Sequence, residues 1–343
     1  MAITDIEQSA FDIIEGFALK SFPGIIPGSF FNRKIYPYEL TNAIAVPVTT
    51  SITANPIPKV TSIQVLENDG EAVQNQTAKF SEKSIESVKN TTTEGYKIGA
   101  GIKSTTKFKV KVGFLVSGEI EQSLEVSLTG EYNHSSTQET TRTTEKLWEI
   151  TQPVTVPPYS RITATLVIME ANLKIPMTLS ANLRGTKLTS GIVYPFVGID
   201  FQTTNGSVGT DLGADGLYRY GSYSQHGKPE SFKSAGPNQS LNLEGHSFTA
   251  AGVGLYTIVR FEQTPLSGYS GETKTWYSDQ VMLRDGSILT LPNFNAIIGR
   301  SDSCSGPIIL GSNNSGSNPI IFESDNSDSI PRVLLSGNQK LSY

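Results

Sequence analysis

An all-β fold with one short helix at its N-terminus is what this sequence predicts, on three observations. From about residue 35 the chain runs in short alternating stretches rich in Val, Ile, Thr, Tyr and Phe, broken by Gly, Asn and Pro clusters. Charged residues are only 17% of the 343, against a usual ~25%, and Ser, Thr, Asn and Gln take their place. An Asp285-Gly286 pair stands between two alternating runs, a strong hairpin signal.

The same arithmetic excludes several kinds of function. The 27 basic and 32 acidic residues give a net charge of −5 without a Lys/Arg cluster, which argues against a nucleic-acid partner. The single cysteine, Cys304, forbids an internal disulfide; with only His134, His226 and His246 beside it, no Cys/His zinc site is expected. The motifs G-x-S-x-G, H-E-x-x-H, the P-loop and a strand followed by G-x-G-x-x-G are all missing, so no catalytic residue, metal or cofactor is expected and the chain reads as a non-enzyme.

The opening MAITDIEQSAFDIIEGFALKSF has no basic start and no unbroken apolar core, so a classical secretory signal is not expected. No window approaches the ~18 apolar residues of a membrane helix, leaving strands as the way to cross a bilayer. Thr4 and Glu7 form a capping-box pattern, and Ile6, Ala10, Ile13, Ile14 and Phe17 recur at helical spacing until Pro23-Gly24. The polar face of this helix is acidic, which favours packing on a sheet over lying on a membrane.

Residues 105–132 carry the most informative pattern. Phe108, Val110, Val112, Phe114 and Val116 occupy even positions, and the even register resumes at Ile120, Leu124, Val126 and Leu128. Odd positions hold Lys107, Lys109 and Lys111, then Glu119, Glu121 and Glu125. Equal parity in two paired strands demands a loop with an odd number of residues, and Val116-Ser117-Gly118 fits, setting Lys109 opposite Glu125, Phe108 opposite Val126, Val110 opposite Leu124 and Phe114 opposite Ile120.

Two readings follow. The hairpin lies with its apolar face on a core, or it spans a bilayer: Lys107–Leu115 has nine residues, and a tilted membrane strand needs ~9–11. The apolar tip Phe114-Leu115-Val116, where a solvent turn should be polar, favours the second. The flanking SVKNTTTEGYK and NHSSTQETTRTTEKLWEI read as a ribbon that tolerates water on both faces.

RITATLVIM (161–169), LYTIVRF (255–261) and KTWYSDQVML (274–283) read as strands, with Trp148 and Trp276 as core anchors. Residues 185–245 read as loops and short strands, whose Tyr194, Phe196, Tyr218, Tyr220 and Tyr223 are either receptor contacts or packing residues. From about residue 293 a twelve-residue repeat marked by Pro307, Pro319 and Pro331 reads as an added module.

The blocks at 147–179, 251–263 and 274–291, with the hairpin between Ser/Thr runs, resemble the aerolysin-type β-pore-forming toxins, in the epsilon-toxin and mosquitocidal-toxin branch that includes insecticidal parasporal crystal proteins. The resemblance spans roughly residues 1–291. It implies an elongated, aerolysin-like architecture of long twisted antiparallel strands. Residues 1–60 with 180–245 would form a receptor-binding head. Residues 61–179 with 246–292 would form a body carrying hairpin 105–132, and 293–343 a repeat module and pro-segment.

The implied activity is that of a receptor-directed, insecticidal toxin, stored in a bacterial parasporal inclusion and acting at the target-cell plasma membrane. Its partners would be that membrane, a glycan or protein receptor, and further copies of itself. Proteolysis, at Arg300 or Arg332, would precede oligomerisation and insertion of one hairpin per protomer into a transmembrane barrel. Membrane-facing residues would be Phe108, Val110, Val112, Phe114, Leu115, Val116, Ile120, Leu124, Val126 and Leu128; the lumen would take Lys107, Lys109, Lys111, Glu119, Glu121 and Glu125. Val112→Asp is then expected to spare the soluble fold and abolish permeabilisation. The alternative is a non-lytic carbohydrate-binding or storage protein.

Overall fold

A computed structural model describes residues 2–116, 120–186 and 195–291. The chain opens with β1 (Ala2–Asp5) and α1 (Ile6–Ser21), followed by β2 (Ile25–Ile35), β3 (Tyr38–Pro47), β4 (Ser51–Thr53) and β5 (Ile57–Asn68). Next come β6 (Gln74–Lys97), the hairpin β7 (Lys103–Val116) and β8 (Ile120–Asn133), then β9 (Thr140–Val156) and β10 (Ser160–Gly185). β11 (Val197–Thr203), β12 (Gly206–Leu212), α2 (Ala214–Arg219) and β13 (Phe232–Ala235) lead to β14 (Leu241–Pro265), and β15 (Lys274–Tyr277), β16 (Gln280–Leu283) and β17 (Ile288–Thr290) close the described chain. The fold is all-β, as predicted.

Two strands form its axis. β10 has 26 residues and β14 has 25, and they pair antiparallel from Ser160–Pro265 to Leu183–Leu241 with one irregularity at Met169/Glu170. At ~3.3 Å per residue each spans about 80 Å. They are the centre of an eleven-stranded sheet; β11 between β2 and β12, and β7 between β4 and β8, form two smaller sheets. Three apolar clusters follow one another along β10. The first holds Ile162, Ala164 and Leu166, the second Ala171 to Leu179, and the third Ala181 and Leu183 together with α1.

Several local expectations are corrected. The cap of α1 is Asp5, whose carboxylate accepts from the Gln8 amide at 3.1 Å, because Thr4 is drawn into β1 opposite Tyr96. The stretch 274–283 is two strands, since β15 pairs at Arg260–Gln263 of β14 and β16 at Tyr256–Thr257, with Ser278 between them. The Asp285-Gly286 turn joins β16 to β17, with Gly286 at φ +88°. α2 appears where loops were expected; an Asp215–Arg219 pair four residues apart, at 2.9 Å, was its signal.

The Ser/Thr ribbon β6–β9 is polar but not wet on both faces. Its inward side buries Ala78, Phe80, Ser84, Glu86, Val88, Asn90 and Thr92. Trp148 is fully buried with its indole N–H donating to Ser84 Oγ at 2.9 Å. It lies so close to Gly254 that a Cβ there would come within 2.6 Å of the indole, and only glycine fits.

Candidate functional site

The hairpin β7–β8 lies on one face of the large sheet without joining it. Among the described residues, its only strand partner outside itself is β4, which runs parallel to β7 over Ser51–Lys111, Ile52–Val112 and Thr53–Gly113. Backbone bonds from Lys111 to Thr50 O and from Ala54 to Gly113 O, both 2.8 Å, extend that contact. Elsewhere side chains hold it. Phe108, Val110, Val112, Phe114, Val116, Leu124, Val126 and Leu128 are buried in the middle cluster against Ile175, Met177, Leu179, Val253 and Leu255. Phe114 stacks on Tyr256 with centroids 5.4 Å apart, and Tyr132 Oη lies 2.8 Å from Thr249 Oγ1. Burial raises the Tyr132 hydroxyl to about 12, so it stays neutral.

Parity assigned the faces, and the ladder corrects the pairing. Val116 pairs with Ile120, Val112 with Leu124, Val110 with Val126 and Phe108 with Leu128, two residues away from the expected register. A slip of two keeps every side chain on its own face, so alternation alone cannot detect it. The observed register brings Val116 into the ladder, where it is fully buried. Lys111 now sits opposite Glu125, while Lys109 reaches Glu125 diagonally, Nζ to Oε1 2.6 Å.

Lys107, Lys109, Lys111, Glu121 and Glu125 are all exposed on the outer face; Glu119 lies outside the described residues. Leu115, expected with the apolar set, is on the outer face too, 40% exposed and opposite Glu121, because its position is odd. The run Phe114-Leu115-Val116 therefore has a packing reason for two of its three members. Val112 is fully buried, so Val112→Asp would place a charge in the core, and the expectation that it spares the soluble fold is withdrawn.

The root of the hairpin is a buried imidazole. His134 is 0% exposed, with Nε2 2.7 Å from Ser104 Oγ on β7 and Nδ1 2.9 Å from Tyr96 Oη on β6. Burial pushes its pKa down to about 4, so the ring is neutral at pH 7. The His134 amide donates to Ile102 O at 2.9 Å and the Tyr96 amide to His134 O at 2.8 Å, tying both ends of the hairpin to β6. Sequence reading missed this residue, because its partners lie 30 and 38 positions away.

Of the aromatics proposed as receptor contacts, Phe196 is fully buried against Tyr38 and cannot reach a receptor in this state. Tyr220 packs 4.6 Å from Phe17 and 5.7 Å from Tyr223, and Lys228 lies over Tyr218 at 3.7 Å, so these three serve partly as cover for α1 and its surroundings. Tyr194, Arg300 and Arg332 lie outside the described residues. Among the described residues no helix is long and apolar enough to cross a membrane, and no group of three or more His, Cys, Asp or Glu could hold a metal ion.

Residues 28–275 match the family described as Clostridium epsilon toxin ETX/Bacillus mosquitocidal toxin MTX2. The chain belongs to this family. A relative of this ETX/MTX2 chain is the pesticidal crystal protein Cry15Aa of Bacillus thuringiensis subsp. thompsoni, 31% identical over 299 residues that cover 84% of the chain and 82% of the relative. Two solved structures share its fold. The Cry23Aa1 and Cry37Aa1 binary protein complex matches with a TM-score of 0.56 at 18% identity over 84% of the chain and all of that one. A non-toxic crystal protein from Bacillus thuringiensis matches with a TM-score of 0.62 at 14% identity over 78% of the chain and all of its own.

Proposed function

We propose that this ETX/MTX2 chain is an insecticidal pore-forming toxin that binds a target-cell receptor, oligomerises after proteolytic trimming, and releases β7–β8 to build a transmembrane β-barrel. One observation carries the reading: the hairpin with a continuous apolar face is the long hairpin that shares no ladder with the large sheet. Its departure breaks a three-residue ladder, the polar bonds of Tyr132 and Ser104 near the root, and apolar contacts, of which the apolar part is replaced by lipid tails at little loss. Each strand has 14 residues, enough for the ~9–11 of a tilted membrane strand. In the barrel the buried face would meet lipid, and Lys107, Lys109 and Lys111 would line the lumen with Glu119, Glu121, Glu125 and Glu131, a net −1 per copy that favours cations weakly.

The test is a reversible lock. Ser51 and Lys111 are exposed cross-strand partners, and neighbouring strands lie within disulfide reach. With trimmed protein and vesicles of target-gut lipid, oxidised Ser51→Cys/Lys111→Cys should release no dye and regain release on reduction. Equal release in both states would sink the hairpin assignment. A second reading, a non-lytic crystal protein, is supported by the fold it shares with a crystal protein described as non-toxic, and predicts no release in either state.

A further inference from the structure

At the end of β10 and β14 away from α1, an open cleft of about 360 Å³ is lined by Thr155 of β9, Gln263 of β14, and Lys274, Thr275 and Trp276 of β15. Trp276 is partly buried and braced from behind: its ring stacks on Phe261, itself only 3% exposed, with centroids 5.3 Å apart. Lys274 holds its ammonium 5.7 Å from the indole centroid. Gln263 Nε2 donates to Glu272 O and Thr155 Oγ1 to Asn75 Oδ1, which leaves the Gln263 carbonyl and the Thr155 lone pairs available to a guest. Among the described residues, the Lys274 ammonium has no carboxylate partner, and the Trp276 N–H and Thr275 hydroxyl have no hydrogen-bond partner.

A rigid aromatic face ringed by an amide oxygen, two hydroxyls and an N–H suits a guest with one C–H face and a rim of hydroxyls. That is a pyranose. The unpaired ammonium, the one charged group of the lining, adds a preference for an anionic substituent. We propose that this cleft binds a pyranose unit of an acidic surface glycan, one bearing a carboxylate or sulfate, and supplies the receptor contact. This rests on the toxin reading for its purpose but not for its chemistry. It moves recognition from Tyr218, Tyr220 and Tyr223, which pack around α1, to the opposite end of the long strands.

The experiment titrates the full chain against immobilised chondroitin sulfate and neutral chitin oligosaccharides, with dye release from glycan-free vesicles measured in parallel. The sulfated glycan should bind at least tenfold tighter. Lys274→Glu, at an exposed position, should weaken it more than tenfold without moving Tm, Trp276→Ala should abolish it, and Trp276→Phe should keep part of it. Wild-type affinity in Lys274→Glu, equal binding of neutral sugars, or no glycan binding would overturn the proposal, while dye release reports on pore formation independently. Trp276-dependent binding to membranes stripped of glycans would assign the cleft to a protein partner and overturn it as well. Glycan binding as expected with no dye release from any trimmed sample would defeat the toxin reading and leave the site standing.

Discussion

The ribbon β6–β9 and the hairpin β7–β8 are both long antiparallel pairs with one buried face, yet they are attached to the molecule in different ways. β6 is hydrogen-bonded into the large sheet through β14, from Ser87–Gly252 to Glu94–His246, and pairs with β9 over 17 positions. It is also pinned by charge. Glu86, 4% exposed, takes a two-pronged ion pair from Arg284, whose Nη2 lies 2.7 Å from Oε2, and accepts the Gly254 amide at 3.2 Å. The hairpin shares no ladder with that sheet and buries no charge: its charges are all on the outer face, and its buried contacts are apolar except toward the root, where Tyr132 meets Thr249 and Ser104 meets His134. The more hydrophobic element is thus the one joined to the large sheet by fewer main-chain bonds and no buried charge, and these are the attachments whose loss neither water nor lipid repays in full.

The largest test of that contrast removes the pin. Arg284→Ala leaves Glu86 buried and uncompensated and should cost about 3–5 kcal/mol, read as a lowered midpoint in urea for the whole chain. A loss under about 1 kcal/mol would mean the ribbon is no better anchored than the hairpin.

The next test concerns the imidazole between the two elements. His134 titrates near 4 when folded and near 6.5 when unfolded, so its contribution is complete above about pH 6.5 and falls away as pH drops through 4. The unfolded chain binds the extra proton in that window, and the loss amounts to about 3 kcal/mol at the acid end. His134→Asn should flatten stability between pH 6.5 and 4. A wild-type profile already flat there would remove His134 from the root of the hairpin.

The smallest effect is expected on the hairpin's outer face. Lys109 and Glu125 are both more than half exposed, so Lys109→Ala should change the unfolding free energy by less than about 1 kcal/mol. In the proposed barrel it should, however, shift the reversal potential further toward cations, since it would remove one lumen lysine per copy. A stability loss as large as that of Arg284→Ala would make the outer face structural and erase the contrast.

Much of this was legible in the sequence. Alternation at 108–128 assigned the apolar residues to one face, the helical spacing of Ile6, Ala10, Ile13 and Ile14 gave α1, and Asp285-Gly286 gave a hairpin. These signals are local, set by side-chain periods of 2 and 3.6. Leu115 was misassigned where composition at the tip was allowed to overrule parity. Phe196 could be read only as a receptor contact or a packing residue, because an aromatic in a Gly-rich segment looks the same whether a partner covers it or a core does; its burial selects packing.

The sequence by itself determined the fold class, the faces of the hairpin and the odd length of its loop, because each follows from neighbours along the chain. Only the tertiary structure decided that the hairpin pairs two residues away from the simplest register, that its apolar face rests on β10 and β14, that β4 is its partner beyond itself, and that His134, Glu86 and Arg284 matter. Those outcomes depend on which distant surfaces meet. A two-residue slip or a change of covering sheet leaves the alternation untouched, so no local pattern could have distinguished them.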